Sequence, residues 1–104
     1  MKIIKRNGSE VSFDTAKIEN AILAANNEVP EDQRLSDREI KFASLVVTDQ
    51  CEVAGHTVTV EEVQDRVENQ LMRLDRFEMA RKYIIYRYLQ NQMRRKNSTD
   101  DKIL

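Results

Sequence analysis

Turn residues are scarce in this sequence: two glycines and one proline in 104 residues. A β-sandwich or barrel needs turn residues at every corner, so neither is expected. The single cysteine excludes an internal disulfide and a cysteine-rich zinc site, and the single histidine excludes a multi-histidine metal centre. No apolar run approaches the roughly 18 residues of a membrane span, and the N-terminus reads as a strand rather than a signal peptide. Charge of one sign is missing too. The 17 Lys and Arg nearly balance 18 Asp and Glu, and a net charge of -1 gives no whole-domain pull toward nucleic acid or membrane.

What is present suffices for one core. Leu, Ile, Val and Phe number 27, above the ~20% floor below which disorder is the better expectation. The length fits one domain, which buries roughly two-thirds of the surface of the unfolded chain. A soluble, mostly helical domain of a reducing compartment, the cytoplasm, is expected.

Local signals divide the chain. Ile3 and Ile4 sit in a β-prone run, Asn7-Gly8 suits a turn with positive φ at both central residues, and Glu10 to Phe13 alternates polar and apolar. Residues 2–13 are therefore predicted as a hairpin, which must pack on something because an isolated hairpin is marginal in water. Asp14 is a good N-cap, and Ile18, Ala21, Ile22 and Ala25 predict an amphipathic helix over 15–28. Pro30 and a polar run break it. Ser36-Asp37-Arg38-Glu39 is a capping box with Leu35 and Ile40 placed for a hydrophobic staple. The helix it starts carries Ile40, Ala43, Val46 and Val47 and should end near Cys51. The β-prone residues 57–60 suit a third strand. Thr59-Val60-Glu61-Glu62 reads as a second capping box, ahead of a seam formed by Val63, Val67, Leu71 and Leu74. Asp75-Arg76 marks a tight break. Phe77, Ala80, Ile84 and Tyr88 mark a fourth helix, to about residue 96. The last residues, 97–104, lose the period and read as a linker or tail. Four amphipathic helices can share a core, with the small sheet covering one end or face.

Catalytic signatures are absent. There is no Gly-rich phosphate loop of either common type. Cys51 and His56 lack a group to orient them as nucleophile and base, and read as a small buried residue and a solvated loop residue. The N-terminal segment is more informative. Lys17 stands in the first turn of its helix, where a cation opposes the helix dipole at a cost of a few tenths of a kcal/mol. An anion at that helix start reverses the cost, since free N–H groups, dipole and Lys17 all point at it. Lys5 or Arg6 from the hairpin would close such a site. Tyr83, Tyr86 and Tyr88 share a helix with Arg81, Lys82 and Arg87, and read as a core-edge stripe. Arg94-Arg95-Lys96 complements the dipole at a helix C-terminus. A helical interaction or DNA-associated module using that cluster is the alternative to a phosphate site.

The motifs Ile4-Lys5-Arg6-Asn7-Gly8, Phe13-Asp14-x-x-Lys17-Ile18 and Ala21-Ile22 closely resemble the opening of an ATP-cone. Val60-Glu61-Glu62-Val63-Gln64-Asp65-x-Val67-Glu68 and Ala80-x-x-Tyr83-Ile84-x-Tyr86-Arg87 resemble its second half. The match spans about residues 2–92. Asn97-Ser98-Thr99-Asp100 looks like the linker that follows the cone in anaerobic (class III) ribonucleotide reductases, which puts the cone at 1–96 and the linker or tail at 97–104.

The resemblance implies a four-helix bundle capped by a three-stranded sheet, and a regulatory domain without catalysis of its own. ATP would permit activity of a parent reductase and dATP would shut it off, often through altered oligomeric state. By the same resemblance, Lys5, Arg6 and Lys17 contact the nucleotide, the lysines chiefly its phosphates. Ile4 and Ile18 flank the ligand, Asp14 is a polar contact, and Gln64 and Tyr86 approach from the last two helices. Mg²⁺ would arrive on the phosphates rather than on protein side chains. Partners would be adenine nucleotides and the catalytic domain, with no membrane and no direct nucleic acid. A cone also occurs in a bacterial repressor of reductase genes, behind a zinc ribbon that one cysteine cannot supply. Three departures from the family pattern are Asn7 for the usual Asp, Val11 where some members are acidic, and Gln90 where some have lysine.

Overall fold

The computed structural model describes the backbone from residue 1 to residue 103 and side chains from residue 1 to residue 93. Strands β1 (Lys2–Ile4) and β2 (Glu10–Ser12) lead into α1 (Thr15–Asn26). A single 3-10 turn at Glu31–Gln33 precedes α2 (Asp37–Glu52), and then follow β3 (Val58–Thr59), α3 (Val60–Arg73) and α4 (Phe77–Ile103). The helices form a closed ring in which α1 packs on α2 and α4, and α3 packs on α2 and α4. The sheet has the order β2-β1-β3, with β1 antiparallel to β2 and parallel to β3. Because β2 feeds α1 and α2 feeds β3 and α3, this sheet closes the end of the bundle where α1 and α3 begin. The fold is the expected one, a four-helix bundle with a three-stranded cap.

The hairpin turn differs from expectation. Gly8 has φ 86°, and Asp75 alone among the described non-glycine residues has positive φ, so Asn7 does not. Gly8 N–H donates to the Lys5 carbonyl at 2.9 Å, and Lys5 N–H donates to the Ser9 carbonyl at 2.8 Å. That is a three-residue loop, a type I turn closed by a left-handed glycine, rather than a two-residue turn. Asn7 serves through its side chain, whose Oδ1 accepts from Ser9 N–H at 3.0 Å and from Ser9 Oγ at 2.6 Å.

The caps explain where the helices start and stop. Ser36 and Glu39 close a full capping box. At Thr59 the forward bond from Glu62 N–H forms, at 3.2 Å, but the box does not close: the Glu62 carboxylate accepts from Thr59 Oγ1 at 3.5 Å and meets His56 at 2.8 Å instead of taking the Thr59 backbone N–H. The α3–α4 break is a Schellman motif. Arg76 N–H reaches the Leu71 carbonyl at 3.3 Å and Asp75 N–H the Met72 carbonyl at 3.0 Å. Asp75 takes the left-handed position, at φ 57°, that glycine usually fills.

The core contains Ile18, Ile22 and Ala25 of α1, Ile40, Ala43 and Val47 of α2, and Val63, Val67 and Leu71 of α3, as the periodicity predicts. On α4 the buried face is rotated from the expected one. Met79, Ala80 and Tyr83 are buried, whereas Phe77 is 63% exposed and Tyr88 61%. Two apolar stripes on one helix give the same spacing, so periodicity identifies the helix but not its inner face. The helix also continues through Ile103, past the point where the apolar period stops. That period reports packing, not backbone hydrogen bonding. The Arg94-Arg95-Lys96 side chains and Leu104 lie outside the described residues.

The rotated face is directly testable by urea denaturation. Met79→Ala should destabilise by about 2–5 kcal/mol, and Tyr88→Ala should stay within roughly 0.5 kcal/mol of the parent. Equal costs would mean that the helix packs on its other stripe.

Candidate functional site

A cavity of about 340 Å³ opens at the sheet end of the bundle, between the hairpin, α1, α3 and α4. Its floor is apolar: Ile3, Val11 and Phe13 from the hairpin segment, Ile18 from α1, and Val60, Val63 and Val67 from α3. Its rim is polar, with Lys5, Ser12, Asp14, Lys17 and Asn20 on one side and Gln64, Tyr86, Arg87 and Gln90 on the other. An apolar chamber with a few convergent polar groups is the usual form of a small-molecule site, and this volume is at the small end of the range.

Of the eight residues singled out from the sequence, the structure brings six to this cavity: Lys5, Asp14, Lys17, Ile18, Gln64 and Tyr86. Strand alternation separates Ile4 from them, since Ile3 lines the chamber and its neighbour points to the opposite face. Arg6 also lies off the wall. Its Nε donates to Glu61 Oε1 at 2.7 Å, tying the hairpin loop to the first turn of α3.

The electrostatics at the α1 end of the cavity are unusual for this molecule. The first turns of α2, α3 and α4 each carry acidic residues, while that of α1 carries none and holds Lys17 instead. Asp14 is spent as the cap, accepting from Ala16 N–H at 3.0 Å. Among the described residues Lys5 and Lys17 make no ion pair, whereas Arg6, Arg76 and Arg87 each do. A helix N-terminus with two unpaired lysines beside it is arranged for an anion.

Sequence reasoning did not place Arg87 in the site. This α4 residue lines the cavity, and its Nη1 donates to Asp65 Oδ1 and Glu68 Oε1, both at 2.8 Å. Its side chain is only 18% exposed, so this pairing fixes α4 against α3 at the cavity wall. The i,i+3 spacing of Asp65 and Glu68 on one face of α3 was the available signal. Tyr83 stands beside it, and burial pushes its hydroxyl well above the ordinary tyrosine range, keeping it neutral. Gln64 Oε1 is fully buried without a hydrogen-bond partner. Among the described residues no group of three or more His, Cys, Asp and Glu is placed to hold a metal ion. Nor is any helix there long and apolar enough to cross a membrane.

The fold thus carries one apolar cavity with a cationic, acid-free helix start on its rim. The model of the ATP cone domain family matches residues 1–92, and the chain belongs to that family. It is 38% identical over 94 residues to the alpha subunit of ribonucleoside-diphosphate reductase from Chlamydia trachomatis, and 37% identical to that from Chlamydia muridarum. Each match covers 82% of this chain, which spans 9% of the length of either relative. Neither carries the name of an anaerobic enzyme, so the anaerobic parent suggested by residues 97–100 finds no support in these relatives.

Away from the cavity, Cys51 and His56 border a second hollow, where no hydrogen bond joins them. Cys51 is 2% exposed, and burial raises its thiol pKa, which disfavours the thiolate a nucleophile needs. His56 Nε2 instead meets Glu62 Oε2 at 2.8 Å, and its Nδ1 lies 3.1 Å from the Ala54 carbonyl. The hydrogen bond and charge of Glu62 raise the His56 pKa above its ordinary 6.5, and His56 lowers that of Glu62 below 4.5. The signs fix a window. The His56 contribution to stability is complete below 6.5 and is lost as pH rises through its raised folded value. The Glu62 contribution is complete above 4.5 and is lost as pH falls through its lowered value. His56→Gln should therefore lower the melting temperature at pH 5.5 and match the parent at pH 9 (both values roughly chosen to straddle the window). A difference independent of pH would show that the ion pair contributes nothing.

Proposed function

We propose that this chain is the nucleotide-sensing regulatory domain of a ribonucleotide reductase. It binds ATP, which permits activity, or dATP, which shuts it off, and has no catalytic role of its own. The observation that carries this reading is the pair of unpaired lysines, Lys5 and Lys17, at the acid-free start of α1, on the rim of an apolar chamber. Triphosphate sits with the lysines and the helix N-terminus, and the base and sugar enter the chamber. Ile18 contributes an apolar wall and Tyr86 a ring from α4. Asp14 and Ile4 act from beside the ligand. Arg6, engaged by Glu61 in this structure, is an exposed cation one residue from Lys5 and close enough in sequence to join it.

Mg²⁺ enters on the phosphates, consistent with an ion that keeps its waters and takes few protein ligands. The partner is the catalytic domain of the same parent, a cytoplasmic enzyme, and the signal passes between them in part through oligomeric state. Of the two parent classes, the relatives favour a ribonucleoside-diphosphate reductase, while the anaerobic class rests on residues 97–100 alone. No membrane or nucleic acid takes part. The domain proper is residues 1–96, with a linker beyond.

Isothermal titration with ATP, dATP and GTP in Mg²⁺ tests the proposal. Saturable binding of both adenine nucleotides, with GTP weak, is expected. Lys17→Ala should weaken ATP and dATP by roughly 10- to 100-fold with the fold intact, the value of one charged contact. Unchanged affinity would remove Lys17 from the site, and no heat with any nucleotide would overturn the reading.

A further inference from the structure

The hairpin loop holds a reactive pair. Of the seven asparagines, Asn7 alone precedes a glycine. Glycine has no Cβ, so its backbone nitrogen can come close to the preceding side chain. Asn7, Gly8 and Ser9 are all exposed, and nothing stands within 4 Å of where a Cβ on Gly8 would be, so water reaches the pair. In the folded loop both reacting groups are engaged. The Gly8 N–H donates to the Lys5 carbonyl at 2.9 Å. The Asn7 carboxamide oxygen accepts from Ser9 N–H at 3.0 Å and from Ser9 Oγ at 2.6 Å. Asn26 is a contrast, buried and followed by Asn27, with both ends of its amide bonded to the Leu35 backbone.

We propose that Asn7 is a site of spontaneous deamidation, that the folded turn holds the reaction back, and that its isoaspartyl product frees Lys5 from the cavity rim. The Gly8 nitrogen, its proton lost to hydroxide, attacks Asn7 Cγ. The bond from Cγ to the carboxamide nitrogen breaks, and ammonia leaves with a proton taken from water, which regenerates the hydroxide. Water then opens the resulting five-membered succinimide. Opening at Cγ leaves Asp at position 7, and opening at the main-chain carbonyl leaves isoaspartate, its chain running through Cβ and Cγ. One water is consumed and one ammonia released, with no oxidant or reductant. Ring closure needs rotation about the bond from Asn7 Cα to its carbonyl, which the turn fixes. That rotation carries the Gly8 N–H away from the Lys5 carbonyl, so the loop must open first.

The two products differ in what they do to the loop. Aspartate keeps the main chain and an oxygen that can accept from Ser9. Isoaspartate adds an atom to the main chain between Lys5 and Ser9. Both loop bonds span that point, Lys5 N–H to the Ser9 carbonyl at 2.8 Å and Gly8 N–H to the Lys5 carbonyl at 2.9 Å, and the lengthened chain cannot keep the pair. Lys5 lies on the rim of the cavity, so its position is lost with them. None of this depends on nucleotide binding.

The test incubates the whole chain without ligand at mildly alkaline pH, folded in buffer and unfolded in guanidinium chloride. Peptide mapping by mass spectrometry follows each asparagine. In the unfolded chain Asn7 should deamidate ahead of the other asparagines. In the folded chain it should react at least roughly 10-fold more slowly, the effect of releasing the loop hydrogen bonds. That slowing should equal or exceed the protection of the Gly8 amide against hydrogen exchange, because both need the same N–H released. The isoaspartyl chain, identified by isoaspartyl methyltransferase labelling, should lose exchange protection at Lys5 and Gly8 and keep it at Val67 and Leu71. Asn7→Asp should keep it at all four. Three results would each overturn the proposal: Asn7 no faster than the other asparagines when unfolded, a folded rate equal to or above the unfolded one, or an isoaspartyl chain with Lys5 and Gly8 still protected.

Discussion

The three residues of β1 hold the site together. Ile3 pairs with Val11 on one edge and Val58 on the other, and Ile4 pairs with Glu10 and Thr59. The second pairing is parallel, so it cannot be made by a tight turn and requires a long crossover. Here the chain between the two strands runs through β2, α1 and α2. By closing it, β1 sets Lys5 opposite the start of α3, and Phe13, Asp14 and Lys17 beside both. The Arg6–Glu61 ion pair continues that junction beyond the sheet. The β1–β3 contact joins the hairpin to the start of α3, whose Val60, Val63 and Gln64 line the cavity, while packing on α2 and α4 holds the rest of that helix.

A second constraint is how charge is distributed. Arg76 bonds Glu39 and the Arg34 carbonyl, and Arg87 bonds Asp65 and Glu68. These pairs hold helix to helix around the ring. The acid-free first turn of α1, with Lys5 and Lys17 on the same cavity rim, departs from the acidic first turns of the other three helices. Isolated surface charges decide little in a fold. A helix start and two lysines turned toward an apolar chamber are different, because a bound anion is desolvated there. The same chamber holds the unmatched Gln64 oxygen.

Much of this was legible in the sequence, for identifiable reasons. Helix positions followed from apolar spacing and from Asp14, Ser36 and Thr59, which act as caps in the structure. Lys17 could be singled out because it sits badly for a helix with no ligand. Four features were hidden because they are tertiary. The turn geometry at Asn7-Gly8 depends on which residues pair across it, which the dipeptide does not encode. The inner face of α4 was ambiguous because Ile84, Ile85, Tyr88 and Leu89 form a second apolar stripe on its exposed side. The Arg87 pairing with two α3 carboxylates and the Asn26 clasp on Leu35 join residues 19 to 22 and nine apart, beyond any local pattern. Ile4 was drawn to the site by the family motif, and Arg6 also by its place on the hairpin beside Lys5, while strand alternation and Glu61 hold them off its wall here.

The central claim is that one cavity, at the sheet end of the bundle, receives the nucleotide. Backbone amide NMR of the isotopically labelled chain, titrated with Mg-ATP, tests it most directly. Shifts should concentrate at Lys5, Asp14, Lys17, Ile18, Gln64 and Tyr86, with Cys51, His56 and the outer face of α2 unmoved. Shifts centred on the Cys51–His56 hollow, or on the exposed stripe of α4 with the cavity silent, would contradict it.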